Sequence, residues 1–185
     1  MFNLRLGAGL LAAALAITVT MTAGPAVAAS KAEINRDVDA ALAVLYAKDP
    51  DARRLTSQAK AVLVFPSIVK AGFLLGAQYG DGALRAKGKT VGYYNTVAAS
   101  YGLQAGVQTF GYALFFMTDS ALQYLAKSEG FELGVGPSIV VLDEGAARAL
   151  TTTTAQKDMY AIFFNQKGLM AGLGLQGSKI SRIDK

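Results

Sequence analysis

Apolar residues recur at helical spacing from Ser30 to Ala47. Ile34, Val38, Ala41, Leu42 and Leu45 fall on one side, leaving Lys31, Arg36, Asp37 and Asp39 for a polar face. Ser30 with Glu33 three residues on predicts a capping box. Asp49-Pro50 ends this helix and opens a second, short one through Ala52, Leu55 and Ala59, because proline is tolerated in a first turn and aspartate caps it.

From Ala61 the period shortens. Val62 to Phe65 reads as a buried strand stopped by Pro66, and Ala71 to Tyr79 as a second strand. Gly80-Asp81-Gly82 predicts a turn, Ala83 to Lys87 an antiparallel return, and Lys87-Gly88-Lys89 another turn. Thr90 to Asn95 then forms a strand. After a break near Thr96 to Ala99, an extended run spans Ser100 to Met117. Thr118-Asp119-Ser120 caps a short helix with Leu122, Leu125 and Ala126 on its apolar side. Strands follow at 131–135 and 138–142, around Gly136-Pro137. The segment 144–154 is ambiguous, and a final hairpin covers 159–176, with 178–183 as its extension. The fold class is α+β: N-terminal helices packed on a curved, mainly antiparallel β-sheet or small barrel.

Gly-x-Gln occurs at 76–78, 102–104, 106–108 and 174–176. Residues two apart share a strand face, so Gly102, Gln104, Gly106 and Gln108 line up with Phe110, Tyr112, Leu114 and Phe116. One reading is a sheet bent on its glycines. The other is a glutamine-lined groove for a polar head group, beside an aromatic shelf for acyl chains.

Composition narrows the chemistry. The chain has no His and no Cys, so the usual nucleophile–base sets, His- or Cys-ligated metals and disulfides are absent. Ser67 and Lys70 lack a motif for a Ser-Lys dyad, and Asp143-Glu144 reads as a solvated turn. Gly172 to Gly177 matches Gly-x-Gly-x-x-Gly, but it lies within a predicted strand and the chain ends eight residues later. No enzyme, cofactor or metal is expected, and no nucleic-acid partner.

Arg5 followed by the apolar stretch Leu6 to Thr22, then Gly24-Pro25 and Ala26-Val27-Ala28, predicts a signal peptide over residues 1–28. A single domain of residues 29–185 remains, long enough to bury a core. The expected location is the periplasm, the membrane periphery or the exterior. Without Cys the chain is not a lipoprotein. The formal net charge of +5 favours anionic surfaces. Candidate head-group cations are Arg85, Lys87 and Lys89 at one turn, Lys167 at another, and Lys179 and Arg182 near the C-terminus. The membrane-facing candidate is the first helix, through Lys31, Ile34, Arg36, Val38, Leu42 and Leu45. Packing of that helix on the sheet is the competing reading.

The runs KAVLVFPSIVKAGF, GDGALR, GKTVGYYN, YGLQAGVQ, FFMTDSAL and FNQKGLMAGLGLQGSKISRI appear in this order from Lys60 onward. In them the chain resembles the SYLF domain family of lipid-binding proteins. The resemblance implies a phospholipid-binding domain with no catalytic motif to transfer. Eukaryotic members associate with phosphoinositides and some bind actin filaments; neither property carries over to an exported bacterial domain. Lipid contact in those relatives involves the N-terminal amphipathic region, here Lys31 and Arg36. The expected function is non-catalytic binding of anionic phospholipid or a related envelope amphiphile at a membrane surface. The alternative is an envelope interaction protein that acts through self-assembly or a protein partner.

Overall fold

The computed structural model describes residues 29–127, 130–133, 136–142, 157–168 and 177–185, with backbone alone over 73–75 and 100–105. The leader expected over 1–28, the ambiguous stretch 144–154 and the strand expected at 169–176 lie outside the described residues.

Helix α1 spans Lys31–Lys48 and α2 spans Pro50–Gln58. The capping box forms as the sequence predicts: the Glu33 amide donates to Ser30 Oγ at 3.2 Å, and the Ser30 amide donates to the Glu33 carboxylate at 2.8 Å. The Ser30 amide and the Ser30 hydroxyl both donate to the Glu33 carboxylate and hold that carboxyl below its ordinary pKa. Asp49 caps α2 by accepting from the Asp51 amide at 3.0 Å. Tyr46 and Thr56 share a hydroxyl hydrogen bond of 2.8 Å that ties the two helices together.

Two long strands follow, β1 over Ala61–Ala86 and β2 over Lys89–Phe116. They pair antiparallel along their whole length around a two-residue turn. Lys87 (φ 50°) and Gly88 (φ 76°) both take left-handed backbone there, which matches the twist of a hairpin. Helix α3 spans Asp119–Lys127. The short strands are β3 (Phe131–Glu132), β4 (Ile139–Leu142), β5 (Met159–Gly168) and β6 (Lys179–Ile183). The far edge of β2 takes β6 against residues 93–97 and β5 against 108–116. β3 joins β6, and β4 joins β5 in parallel. The result is the expected α+β fold, with helices packed on a strongly curled, mainly antiparallel sheet.

Three breaks expected from sequence are not breaks. Pro66 sits inside β1 at a register shift between Phe65 and Ile68, where a bulge accommodates the missing N–H. Thr96 to Ala99 continues β2 without interruption. Gly80-Asp81-Gly82 is extended strand, and its glycines serve a close approach. A Cβ at Gly80 would lie 2.6 Å from the Ser67 carbonyl oxygen, and one at Gly82 would collide with the Val64 carbonyl oxygen. The ribbon therefore curls until the two halves of β1 lie against each other.

The curl divides the core in two. Leu63, Phe65, Phe110, Tyr112, Leu114 and Phe116 fill the inside, with Met159, Ala161 and Phe163 of β5 and Leu125 of α3. Val62, Val64, Ala113 and Phe115 point the other way, to Ile34, Val38, Ala41 and Leu45 of α1 and Leu55 of α2. Residues 159–164 of β5 are all buried because inside and helix-side layers take alternate side chains.

Candidate functional site

Burial corrects two of the sequence expectations. Ile34, Val38 and Leu45 are no more than 3% exposed, spent on the sheet, and Leu42 is partly buried beside them. The apolar face of α1 is thus core and does not face a membrane in this fold; burial of each such side chain is worth about 1.5–3 kcal/mol. Lys31 and Arg36 stay on its exposed side, Arg36 paired with neighbouring Asp37 at 3.1 Å. The aromatic shelf is also core, since Phe110, Tyr112, Leu114 and Phe116 are buried. In its polar continuation Gln108 is buried and Gly106 exposed, and Gln78 of another Gly-x-Gln triplet is buried as well. Gln78 Nε2 donates to Ser178 Oγ at 2.9 Å, and Tyr112 donates to Thr96 Oγ1 at 3.0 Å. Gln108 is buried, with its Oε1 unpartnered among the described residues.

The six candidate cations do not form one cluster. Lys167 lies on β5 opposite Thr109, whereas Lys179 and Arg182 lie on β6 opposite Val97 and Tyr94; all three are exposed. Arg182 still acts on its neighbour: its charge partly offsets the burial that raises the Tyr94 pKa. Arg85, Lys87 and Lys89 occupy the β1–β2 turn region. Lys87 and Lys89 are exposed, but the Arg85 side chain is only 16% exposed. It docks on α1, where its Nη2 donates to Asp39 Oδ1 at 2.6 Å and to the Asn35 carbonyl at 3.3 Å. Arg85 is thus not the free surface charge that the sequence suggested. Asn35 strengthens the same junction: its Oδ1 accepts from Thr90 Oγ1 at 2.7 Å, and its Nδ2 donates to the Tyr93 hydroxyl at 2.9 Å.

Where this junction opens, α1, α2 and the start of β1 surround a groove of about 390 Å³, within the range of small-molecule sites. Leu42, Ala59, Ala61 and Val62 supply its apolar lining, and Tyr46, Thr56 and Ser57 its hydroxyls. Arg85, Lys87 and Lys60 bring three cations against the single carboxylate of Asp39. Lys60 also pairs with Asp119 at 3.2 Å. Arg85 Nε is buried, with no acceptor among the described residues. Arg85 and the exposed Lys87 thus set positive charge beside an apolar wall, an arrangement that suits a ligand with an anionic head and a short tail.

Sequence reasoning located the turn cations but not the groove, whose walls come from segments far apart in the chain. It gave no sign that Lys185, a cation of the C-terminal tail, bridges Asp81 at 3.3 Å and the Ala29 carbonyl at 2.9 Å. Both charged side chains are nearly buried, and the contact ties the C-terminus to the start of α1 and to β1. At 104 positions of separation it left no local signal.

Residues 97–185 match the family model described as Ysc84: Las17-binding protein actin regulator. That match supports the resemblance to the SYLF family carried by the motifs from Lys60 onward. A search of curated proteins returns no match.

Proposed function

We propose that this protein binds an anionic phospholipid or a related envelope amphiphile at a membrane surface, and performs no chemistry on it. One observation carries the reading: Arg85, whose buried Nε has no partner among the described residues, lines an apolar-walled groove together with Lys87. A buried donor left without a partner costs free energy, and an anionic head group would satisfy it. The proposed setting is outside the inner membrane, after cleavage behind Ala28. Mass spectrometry of the processed chain tests that point, with Ala29 as the expected first residue.

The ligand assignment is tested by titration calorimetry with a short-chain phosphatidylglycerol below its micelle concentration, at two salt concentrations. Binding should weaken with salt and fall roughly fivefold or more in Lys87→Glu. Equal affinity for the matching phosphatidylcholine, or no binding to either, would overturn the reading.

The description of the matching family names a protein partner, Las17, and favours a second reading as an interaction protein. Concentration-dependent oligomers in a protein that binds no lipid would support it.

A further inference from the structure

Strand β2 is flanked by a bulge on each side, at adjacent positions. On β1, Pro66 and Ser67 stand between the pairs Phe65 with Tyr112 and Ile68 with Phe110, so two residues face Gly111 alone. On β5, Asn165 and Gln166 stand between the pairs Phe164 with Gly111 and Lys167 with Thr109, so two residues face Phe110 alone. Asn165 takes left-handed backbone (φ 54°), which asparagine tolerates better than most residues. Gly168 (φ 108°) then lets β5 press on β2, since a Cβ there would collide with the Val107 carbonyl. Lys167 is therefore carried on a short piece of strand whose path is set on either side of it.

A pocket of about 280 Å³ opens at this double bulge, lined by Pro66, Ser67, Thr109, Phe110, Asn165 and Lys167. Phe110 is buried, Pro66, Thr109 and Asn165 are half-buried, and Ser67 and Lys167 reach solvent. The polar lining is two hydroxyls, one carboxamide and one ammonium. None of these four side chains makes a hydrogen bond or ion pair with another described residue. All four can donate, and no carboxylate is among the described lining residues. The cross-strand row through Lys167 continues to Thr109 and Val69, also without an acid.

That lining selects its occupant. Convergent donors around one ammonium complement an oxyanion. A metal cation would find no carboxylate, a neutral polyol would leave the ammonium without a counter-charge, and an acyl chain would desolvate the polar walls. The volume lies at the lower end of small-molecule sites, enough for a phosphate group with a small substituent. We propose that this pocket binds a small oxyanion of the phosphate type, with Lys167 supplying the charge and Ser67, Thr109 and Asn165 the hydrogen bonds. The chemistry is that of a phosphate ester, carried either by a free solute or by a lipid head group. The pocket shares no residue with the groove at Arg85 and does not rest on the lipid reading.

The probe is inorganic phosphate, followed by amide chemical shifts in isotope-labelled protein, with chloride at equal ionic strength as the reference. The expected result is a saturable shift at Ser67, Thr109, Lys167 and the Asn165 side-chain amide that chloride does not produce. Lys167→Gln should weaken the affinity about tenfold. Asn165→Gly keeps the left-handed backbone and removes only the carboxamide, so it should weaken the affinity about threefold or more while the urea midpoint holds. Arg85→Met should respond like the parent, because Arg85 lies outside the pocket. Vesicles of phosphatidylglycerol identify the source: partitioning that falls in Lys167→Gln assigns a lipid head group, and partitioning that holds while phosphate binding falls assigns a free solute. No saturable shift, shifts confined to Arg85 and Lys87, or a response that Lys167→Gln and Asn165→Gly leave unchanged would overturn the pocket and leave the groove reading standing. Saturable shifts here in a protein that binds no short-chain phosphatidylglycerol would uphold the pocket and remove the groove reading.

Discussion

The guanidinium of Arg85 donates to the Asp39 carboxylate at 2.6 Å, yet its own Nε–H is buried with no partner among the described residues. The two facts oppose each other energetically. Asp39 is 67% exposed, so solvent screens the ion pair, which is worth at most about 1 kcal/mol. A buried donor without an acceptor costs about 1–3 kcal/mol. Arg85→Met keeps the stem and removes both, so it should change stability by no more than about 1 kcal/mol. The same substitution should abolish binding of short-chain phosphatidylglycerol. Urea denaturation and calorimetry on one preparation check both halves. A loss of several kcal/mol in stability would show that Arg85 chiefly anchors α1.

Leu45 of α1 is fully buried between the helix and the sheet. Leu45→Ala should lower stability by about 2–5 kcal/mol, through lost burial and the cavity left behind. Vesicle partitioning of the folded variant should match the parent. If instead partitioning falls while the urea midpoint holds, α1 is the membrane element after all.

Glycine at 82 is required by the approach of the Val64 carbonyl, whereas glycine at 88 is required only by its backbone angle, with open space around it. Gly82→Ala must displace a strand backbone and should cost about 1–3 kcal/mol. Gly88→Ala meets no neighbour and should cost about 1 kcal/mol. Because Gly80 makes the same kind of approach, Gly80→Ala with Gly82→Ala should leave no cooperative thermal transition. A double variant that melts like the parent would mean that the two halves of β1 do not need to touch.

These glycines also show where the sequence was legible. Helices α1 and α2, their caps and the Lys87-Gly88 turn are governed by side chains within four residues, and all were readable. Gly80-Asp81-Gly82 carries the composition of a turn but serves a contact with residues more than ten positions away, which composition cannot encode. Pro66 likewise signals a strand end unless a bulge absorbs it. The ribbon was therefore read as several short strands. The same limit applies to the groove, which joins Leu42, Ala59 and Arg85 only after the ribbon has curled. The apolar positions of α1 were plain in the sequence, but whether they met sheet or lipid depended on what the sheet presented to them.

Tyr112 is buried in the inner core, and burial raises its pKa well above the ordinary value near 10, more than its hydrogen bond to Thr96 lowers it. Tyr79 is pushed up to about 12, chiefly by its hydrogen bond to the Asp81 carboxylate. Both folded-state values lie above the unfolded ones. Their contribution is thus fully present below about pH 10 and is lost as pH rises through the folded-state values. Stability should fall on the alkaline side from about pH 10 upward. Tyr112→Phe should flatten that fall while costing about 1 kcal/mol at neutral pH, through the lost bond to Thr96. Urea midpoints between about pH 8 and pH 11 measure it, and an unchanged alkaline slope would contradict the assignment to Tyr112.

Ala59 lies on the apolar side of the groove, at the end of α2, and carries no charge. Ala59→Trp should fill the space that a short acyl tail would occupy and leave Arg85 and Lys87 in place. Affinity for short-chain phosphatidylglycerol should then drop about tenfold or more, since excluding even two or three methylenes forfeits about 0.8 kcal/mol each. The residual binding should keep the salt dependence of the parent, because no ion contact changes. This separates the tail from the head group: Lys87→Glu alters the salt slope, and Ala59→Trp alters affinity at constant slope. Calorimetry at two salt concentrations on both variants reads the difference. Unchanged affinity in Ala59→Trp would mean that the ligand touches the turn cations without entering the groove.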